Sequence, residues 1–188
     1  MPTRRSNILN SHSRLLRLKW QRGLISLLPI ILMIGLGEMI HAQVDDLVSA
    51  PPPLKQLSKS ERDSLNSKPA IKDRNNIALS LMESRLRSAE KFGADENFFL
   101  MYAELGGFHA LMDNNLDFLL RSQEPAKRLS GLKRFEIGLR SFVSRVEALR
   151  RSAPSAFEPY IISLLKNISQ AREKALEPMF DDAGQRAQ

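Results

Sequence analysis

Four long segments of the chain repeat apolar residues at alternating steps of three and four positions, the spacing of one face of an α-helix. We predict helices over residues 73–92, 95–121, 125–151 and from about residue 157 to Pro178. The third is the clearest, with apolar positions at Leu132, Phe135, Leu139, Phe142, Val146 and Leu149. No segment alternates with a period of two, so the pattern predicts an all-α fold.

Sustained three–four spacing is typical of helices that pack at a shallow angle around a shared core. The segments between the predicted helices are short, which favours antiparallel neighbours. We therefore predict an antiparallel up-down four-helix bundle over residues 58–180. A shorter helix over residues 58–66 precedes the four long ones, because Ser58 and Glu61 have the spacing of a capping box.

The register of the second and third long helices follows if the turn between them is centred near Gln123. Residues whose numbers sum to about 245 then face each other, which places Gly107 level with Gly138. Two glycines at one level predict a close approach of the helix backbones, and a simple kink is the alternative. The same register predicts ion pairs between Asp113 and Arg134 and between Glu104 and Arg140.

The N-terminal 42 residues have the pattern of an export signal. Six Lys and Arg residues precede an apolar run over residues 24–36, and small Ala42 suits a leader peptidase. We predict a signal peptide over residues 1–42 and an exported protein, periplasmic or extracellular. In the alternative, residues 24–42 stay in place as an inner-membrane anchor.

The segments on either side of the bundle contain no helical periodicity. Residues 43–57 are predicted to form a linker that includes Pro51, Pro52 and Pro53, because proline-rich segments act as spacers. Residues 181–188 are predicted to form a disordered tail.

Net charge and cysteine content exclude several functions. The chain has a net charge of +7, but residues 1–42 contribute six basic residues against Glu38 alone. The remainder is almost neutral, which argues against a nucleic-acid partner. The chain has no cysteine, which excludes disulfides, thiol nucleophiles and thiolate metal sites. We also find no nucleophile elbow and no phosphate-binding glycine loop, so we expect no enzyme activity and no cofactor.

The third long helix is the most basic part of the predicted bundle. Glutamates four residues before Arg128, Arg140 and Arg151 compensate part of this charge. The remainder predicts a surface for an envelope protein or an anionic membrane, with an ordinary solvated face as the alternative. The candidate residues of this basic face are Lys127, Lys133, Arg134, Arg145 and Arg150. The leading hypothesis is thus a non-catalytic, exported protein-interaction or envelope-associated module.

A second hypothesis of another class concerns the histidine of the second long helix. His109, Asp113 and Asp117 follow one another at one-turn spacing, which is compatible with a metal- or small-ligand-binding bundle. A plain hydrogen bond between His109 and Asp113 at the edge of the core is the structural alternative.

Two segments resemble other proteins. Residues 104–113 (ELGGFHALMD) and 133–140 (KRFEIGLR) are similar to segments of an uncharacterised family of small exported bacterial helical proteins. The resemblance extends over residues 54–180. It implies a bacterial envelope location, and because the family has no assigned activity it implies no substrate, cofactor or partner.

Overall fold

A computed structural model describes residues 49–186 of the protein, with side chains described up to residue 180. Within these residues the chain forms five α-helices, a short 3₁₀ turn at Ser155–Phe157 and no strand, which confirms the all-α prediction. The helices are α1 (Lys59–Asn66), α2 (Ile71–Ala94), α3 (Phe98–Leu120), α4 (Pro125–Ser152) and α5 (Glu158–Arg186). None of them is both long and apolar enough to cross a membrane. The predicted signal peptide, with its alternative as an anchor, and residues 43–48 of the predicted linker lie outside the described residues.

The helix ends agree with the sequence pattern at the start of the bundle and differ from it at the end. The Ser58 hydroxyl accepts from the Glu61 amide at 3.2 Å, and the Glu61 carboxylate accepts from the Ser58 amide at 2.7 Å, so the predicted capping box forms. At the other end, α5 passes through Pro178 and continues to Arg186. The prediction of a helix end at Pro178 and a disordered tail is therefore wrong for residues 181–186. Proline removes a single backbone hydrogen bond, which leaves the others of the helix available.

The apolar stripes form the core. All six stripe residues of α4 are buried, and the six of the fourth predicted helix are buried as well: Phe157, Ile161, Leu164, Ile168, Ala171 and Ala175. In α3, Met101, Leu105 and Phe108 are fully buried. Burial of these side chains is the main force that holds the helices together, because each large apolar side chain contributes roughly 1.5–3 kcal/mol when it leaves water.

The lateral arrangement of the helices differs from the predicted one. The most extensive contacts join α2 to α3, α4 to α5, and α2 to α4, whereas α3 and α4 share far fewer. The two helices α3 and α4 instead meet across the core, where the rings of Phe108 and Phe142 lie 5.4 Å apart. The prediction that the second and third long helices are side by side is wrong, because a four-residue connection can also cross the bundle. As a result, the parallel helices α2 and α4 are neighbours.

This arrangement explains the two glycines in a different way. A Cβ atom at Gly107 would lie 2.8 Å from Nε and Cζ of Arg85, and one at Gly138 would lie 2.5 Å from Cδ2 of Leu79. Arg85 and Leu79 both belong to α2. The two glycines therefore do not face each other as predicted, and each makes room for a side chain of α2.

The predicted ion pairs between the second and third long helices do not form. Asp113 binds Lys55 at 3.1 Å, and Glu104 binds Arg85 at 3.0 Å. Arg140 binds Glu136 of its own helix at 3.0 Å. These alternatives follow from the same change in arrangement, since α3 presents its acids to α2 and to the N-terminal segment instead of to α4.

Residues 49–57, which we call the strap, belong to the folded domain. The Ala50 amide donates to the Ala156 carbonyl at 2.8 Å, and Leu57 packs against the core. A Cβ atom at Gly106 would lie 2.6 Å from the carbonyl oxygen of Leu54, so the strap crosses α3 at a distance that only glycine permits. The prediction that residues 43–57 form a free linker is therefore wrong for residues 49–57.

Arg85 joins α1 to the bundle. Its Nε and Nη2 donate to the two oxygens of Glu61 at 2.7 and 2.8 Å, and its Nη1 donates to Glu104 at 3.0 Å. Burial alone would raise the pKa of Glu61, but the bonds from Arg85 and Ser58 hold this pKa below its ordinary value. The same carboxylate thus caps α1 and attaches it to α2.

Candidate functional site

The basic face predicted on the third long helix divides into two parts. Arg145 donates to Glu90 at 2.6 and 2.7 Å and to Glu83 at 2.6 Å, so it joins α4 to α2. The bonds to Glu90, followed by those to Glu83, raise the pKa of Arg145 above its ordinary value, despite partial burial. This side chain is occupied within the fold.

Arg150 is occupied in a similar way. It donates to Glu147 of the same helix at 2.7 Å and also binds Glu158 at the start of α5. Of the three predicted compensating pairs, only Glu136–Arg140 forms, because Glu147 binds Arg150 instead of Arg151 and Glu124 binds Lys127 instead of Arg128.

The other part lies at the N-terminal end of α4. Lys127 forms an ion pair with Glu124, and both side chains are largely exposed. Lys133 and Arg134 form no ion pair with any residue of the described part of the chain. Of the five candidate residues, the two without an ion pair therefore lie in the N-terminal half of α4.

A cavity of about 630 Å³ opens beside these groups, between the first turns of α2 and α4. Its walls carry the cations Lys72, Lys127 and Arg134 and the acids Asp73 and Glu124. Because Lys127 and Glu124 neutralise each other, the charges that remain on the lining are the cations Lys72 and Arg134 and the acid Asp73. Its apolar lining includes Ile71, Ala126 and Gly131. The volume is in the range of small-molecule and peptide side-chain sites, roughly 300–1,000 Å³. We call this site the basic cavity.

Two features of the backbone add to the positive potential at the basic cavity. The helices α2 and α4 both begin there, and neither Ala70 nor Glu124 caps its helix with a side-chain hydrogen bond. The free amides in the first turn of each helix, which in α4 follow Pro125, consequently have no capping side chain, and the positive ends of two helix dipoles lie near one opening.

A buried amide network joins two residues that line the basic cavity, Asn75 and Gly131. Asn75 Nδ2 donates to the Gly131 carbonyl at 2.9 Å, and Asn115 Nδ2 donates to Asn75 Oδ1 at 2.8 Å. Both asparagine side chains are fully buried. A Cβ atom at Gly131 would lie 2.8 Å from Leu119 and 2.9 Å from Ile71, so glycine allows α4 to approach α2 and α3 here. The network therefore fixes the spacing of the helices that form the cavity.

The structure does not assemble His109, Asp113 and Asp117 into a metal centre. Asp117 binds Arg121 at 3.1 Å, and Asp113 binds Lys55 at 3.1 Å. Among the described residues, no group of three or more histidine, cysteine, aspartate or glutamate side chains is arranged to hold a metal ion. The structure therefore gives the metal hypothesis no support at these residues.

His109 is instead part of the contact between α3 and α5. The ring is only 5% exposed, and its Nδ1 lies 3.2 Å from the Tyr160 hydroxyl. Its Nε2 is 3.6 Å from Asp113, too far for the predicted hydrogen bond. Burial lowers the pKa of His109 from its ordinary value and the Asp113 carboxylate opposes this shift, so we expect a neutral imidazole at neutral pH.

The sequence analysis identified two residues that line the basic cavity and missed the others. Lys127 and Arg134 were candidates, but Lys72 and Asn75 were not, because the predicted register placed α4 beside α3. Of these two residues, only Asn75 could have been noticed from its residue type. An asparagine at position 75, within the first predicted long helix, is a polar residue in a segment whose neighbours are apolar on one face.

No protein-family model matches this chain, and neither a curated protein nor a solved structure matches it. The resemblance to an uncharacterised exported family consequently stays a prediction, and the functional argument depends on the geometry alone.

Proposed function

We propose that the protein is a non-catalytic binding module that recognises an acidic partner protein at the basic cavity. The observation that carries the proposal is the position of Lys72 and Arg134, two cations without an ion pair in the described part of the chain, on the wall of one cavity. Electrostatic complementarity of this kind directs association and selects partners by charge. The proposal keeps the expected location outside the cytoplasm, with an envelope protein as the partner.

The shape of the cavity favours a partner segment that carries both an acidic group and an apolar side chain. The lining offers apolar surface at Ile71 and Ala126 beside the cations Lys72 and Arg134. A flat anionic membrane would contact the exposed cations and would leave the buried Ile71 side chain without a partner. An acidic segment of a protein that inserts one apolar residue fits both features.

The test uses charge reversal with a matched control. A photo-crosslinking residue at Ser130, which lines the cavity, should capture a specific partner in cells, and Lys72→Glu together with Arg134→Glu should abolish this crosslink. The control is Lys91→Glu together with Lys166→Glu, two exposed lysines without an ion pair in the described region, which change the net charge equally. A crosslink that survives the first pair, or that both pairs weaken equally, would contradict the proposal.

A further inference from the structure

Several large apolar side chains are exposed along the strap and beside it. Leu54 and Phe99 are both 75% exposed. Pro51 and Pro52 of the strap are exposed as well. We call these four residues the apolar ridge. Exposed apolar residues that form one contiguous group mark a contact surface more often than scattered ones do.

The contacts of the strap place these four residues on one side of the molecule. Ala50 is bonded to Ala156, and the neighbouring Phe157 ring lies 5.3 Å from the Phe99 ring, so the strap begins beside Phe99. Leu54 crosses α3 at Gly106. Positions 99 and 106 are two helical turns apart on one face of α3, an axial rise of about 10 Å. The ridge therefore runs along this face from Phe99 to Leu54.

The backbone of the ridge is held in place, which limits the entropy that a partner must remove. Ala50 and Leu57 pack against the core, and Lys55 binds Asp113. The residues before Pro51, Pro52 and Pro53 are restricted to extended conformations. Leu54 is thus an apolar side chain that a fixed backbone holds in water.

The length of the chain before the strap limits how far the folded domain can lie from a bilayer. The apolar segment that could act as an anchor ends at Ala42, and the strap is fixed at Ala50, so eight Cα–Cα steps separate them. Fully extended, these steps span at most about 28 Å. If residues 24–42 lie in a bilayer, Ala50 at the start of the ridge therefore lies within about 28 Å of the surface of that bilayer.

We propose that, in the form of the chain that keeps residues 24–42, the apolar ridge lies against the lipid bilayer that holds this segment. The aromatic ring of Phe99 and the side chain of Leu54 enter the boundary between headgroups and acyl chains, where such residues are stable. The nearest connection carries the exposed acids Asp95 and Glu96, so the contact depends on apolar burial and not on anionic lipid.

The basic cavity and the apolar ridge lie at opposite ends of α4. The cavity lies at the N-terminal end of α4, while the C-terminal end of α4 leads into the turn at Ser155–Phe157, beside the ridge. A helix of 28 residues is about 42 Å long.

The absence of cysteine in the chain allows a direct test. Single-cysteine variants Leu54→Cys and Phe99→Cys of the full-length protein are labelled with an environment-sensitive fluorophore and reconstituted into phosphatidylcholine vesicles. The control is Ile137→Cys, a position that is 55% exposed and lies in the middle of α4. Spin-labelled lipid should quench the labels at positions 54 and 99 about two-fold or more strongly than the label at 137.

Adding phosphatidylserine to the vesicles should not increase this quenching, because the ridge carries no cation that would bind it. Equal quenching at the three positions would overturn the proposal. Labels at positions 54 and 99 that are protected from aqueous iodide but are not quenched by the lipid would also overturn the proposal. A second copy of the chain, and not the bilayer, would then cover the ridge.

Discussion

Arg85 shows how one residue decides whether a neighbouring glycine is required. Its guanidinium occupies the space above Gly107 and is fixed there by Glu61 and Glu104. An added methyl group can be accommodated only if Arg85 leaves these partners.

We expect Gly107→Ala to lower the free energy of unfolding by about 1–3 kcal/mol, because the new Cβ displaces the Arg85 guanidinium. In an Arg85→Ala background the same substitution should be neutral or stabilising by up to about 1 kcal/mol, since alanine is the better helix former. Chemical denaturation of the four proteins of this cycle measures both values. An equal loss in both backgrounds would show that Arg85 is not the reason for the glycine.

The Asn75–Asn115 pair is a second case in which neighbouring residues act together. Asn75→Leu leaves the buried amide of Asn115 without its acceptor, so we expect a loss of about 1–3 kcal/mol in the free energy of unfolding. The double variant Asn75→Leu with Asn115→Leu removes both amides and should lose less than the single variant does. Denaturation midpoints of the two variants measure which one is more stable. A double variant that is less stable than the single one would contradict this explanation of the network.

At the level of single residues, the sequence predicts burial better than it predicts partners. Phe135 and Leu139 were identified as core residues because apolar periodicity reports which face of a helix is buried. The partners of Asp113 and Glu104 were predicted wrongly, because they depend on which helix lies beside α3. Local spacing carries no information about that choice.

The strap is the element whose observed role differs most from the predicted one. A run of three prolines indicates a spacer when only composition is considered. The strap instead packs against α3 at Gly106, which lies 52 positions after Leu54 along the chain. A contact between residues so distant in sequence leaves no periodic signal. Gly106 itself was the one hint, since glycine inside a helix needs a reason.

We expect Gly106→Ala to release the strap, because the new Cβ would meet the backbone carbonyl of Leu54 at 2.6 Å and a carbonyl cannot rotate away as a side chain can. Trypsin should then cleave after Lys55 much faster than in the parent protein, while the helices resist cleavage. Gly93→Ala is the control, since the nearest atoms there are side-chain atoms at 3.2 and 3.3 Å. Unchanged cleavage after Lys55 would show that the strap does not need this glycine.

For the whole molecule, several carboxylates link the stability of the bundle to pH. Burial alone would raise the pKa of Glu136, but Arg140 and Arg172 hold it below its ordinary value. Hydrogen bonds from Arg145 lower the pKa of Glu83. A lowered pKa means that the stabilisation is present above the unfolded pKa of about 4.3 and is lost as the pH falls through the folded value.

The free energy of unfolding should therefore decrease as the pH is lowered from about 7 to about 3. Glu136→Gln should lose about 1–2 kcal/mol at neutral pH and should show a smaller further decrease on acidification. Glu173→Gln, at an exposed glutamate, should behave as the parent protein does. Urea titrations across this pH range provide the comparison, and parallel profiles for the parent and Glu136→Gln would contradict the role of Glu136.

The sequence predicted the fold class and the four long helices of the molecule, because each helix is specified by its own periodicity. It did not predict which helices are neighbours, since several arrangements bury the same stripes equally well. The contacts of Gly131 and Gly138 with α2 favour the observed arrangement, and they became recognisable only from the structure. The basic cavity depends on this arrangement, so its larger part could not be predicted.

The position of α4 beside α2 is the claim on which the basic cavity depends, and cysteine pairs test it directly. In this cysteine-free chain, Leu79→Cys with Gly138→Cys should form a disulfide under mild oxidation, because the two positions are in contact. Gly107→Cys with Gly138→Cys should stay reduced. Disulfide formation at 107 and 138 without any at 79 and 138 would place α4 beside α3 and would contradict the proposed site.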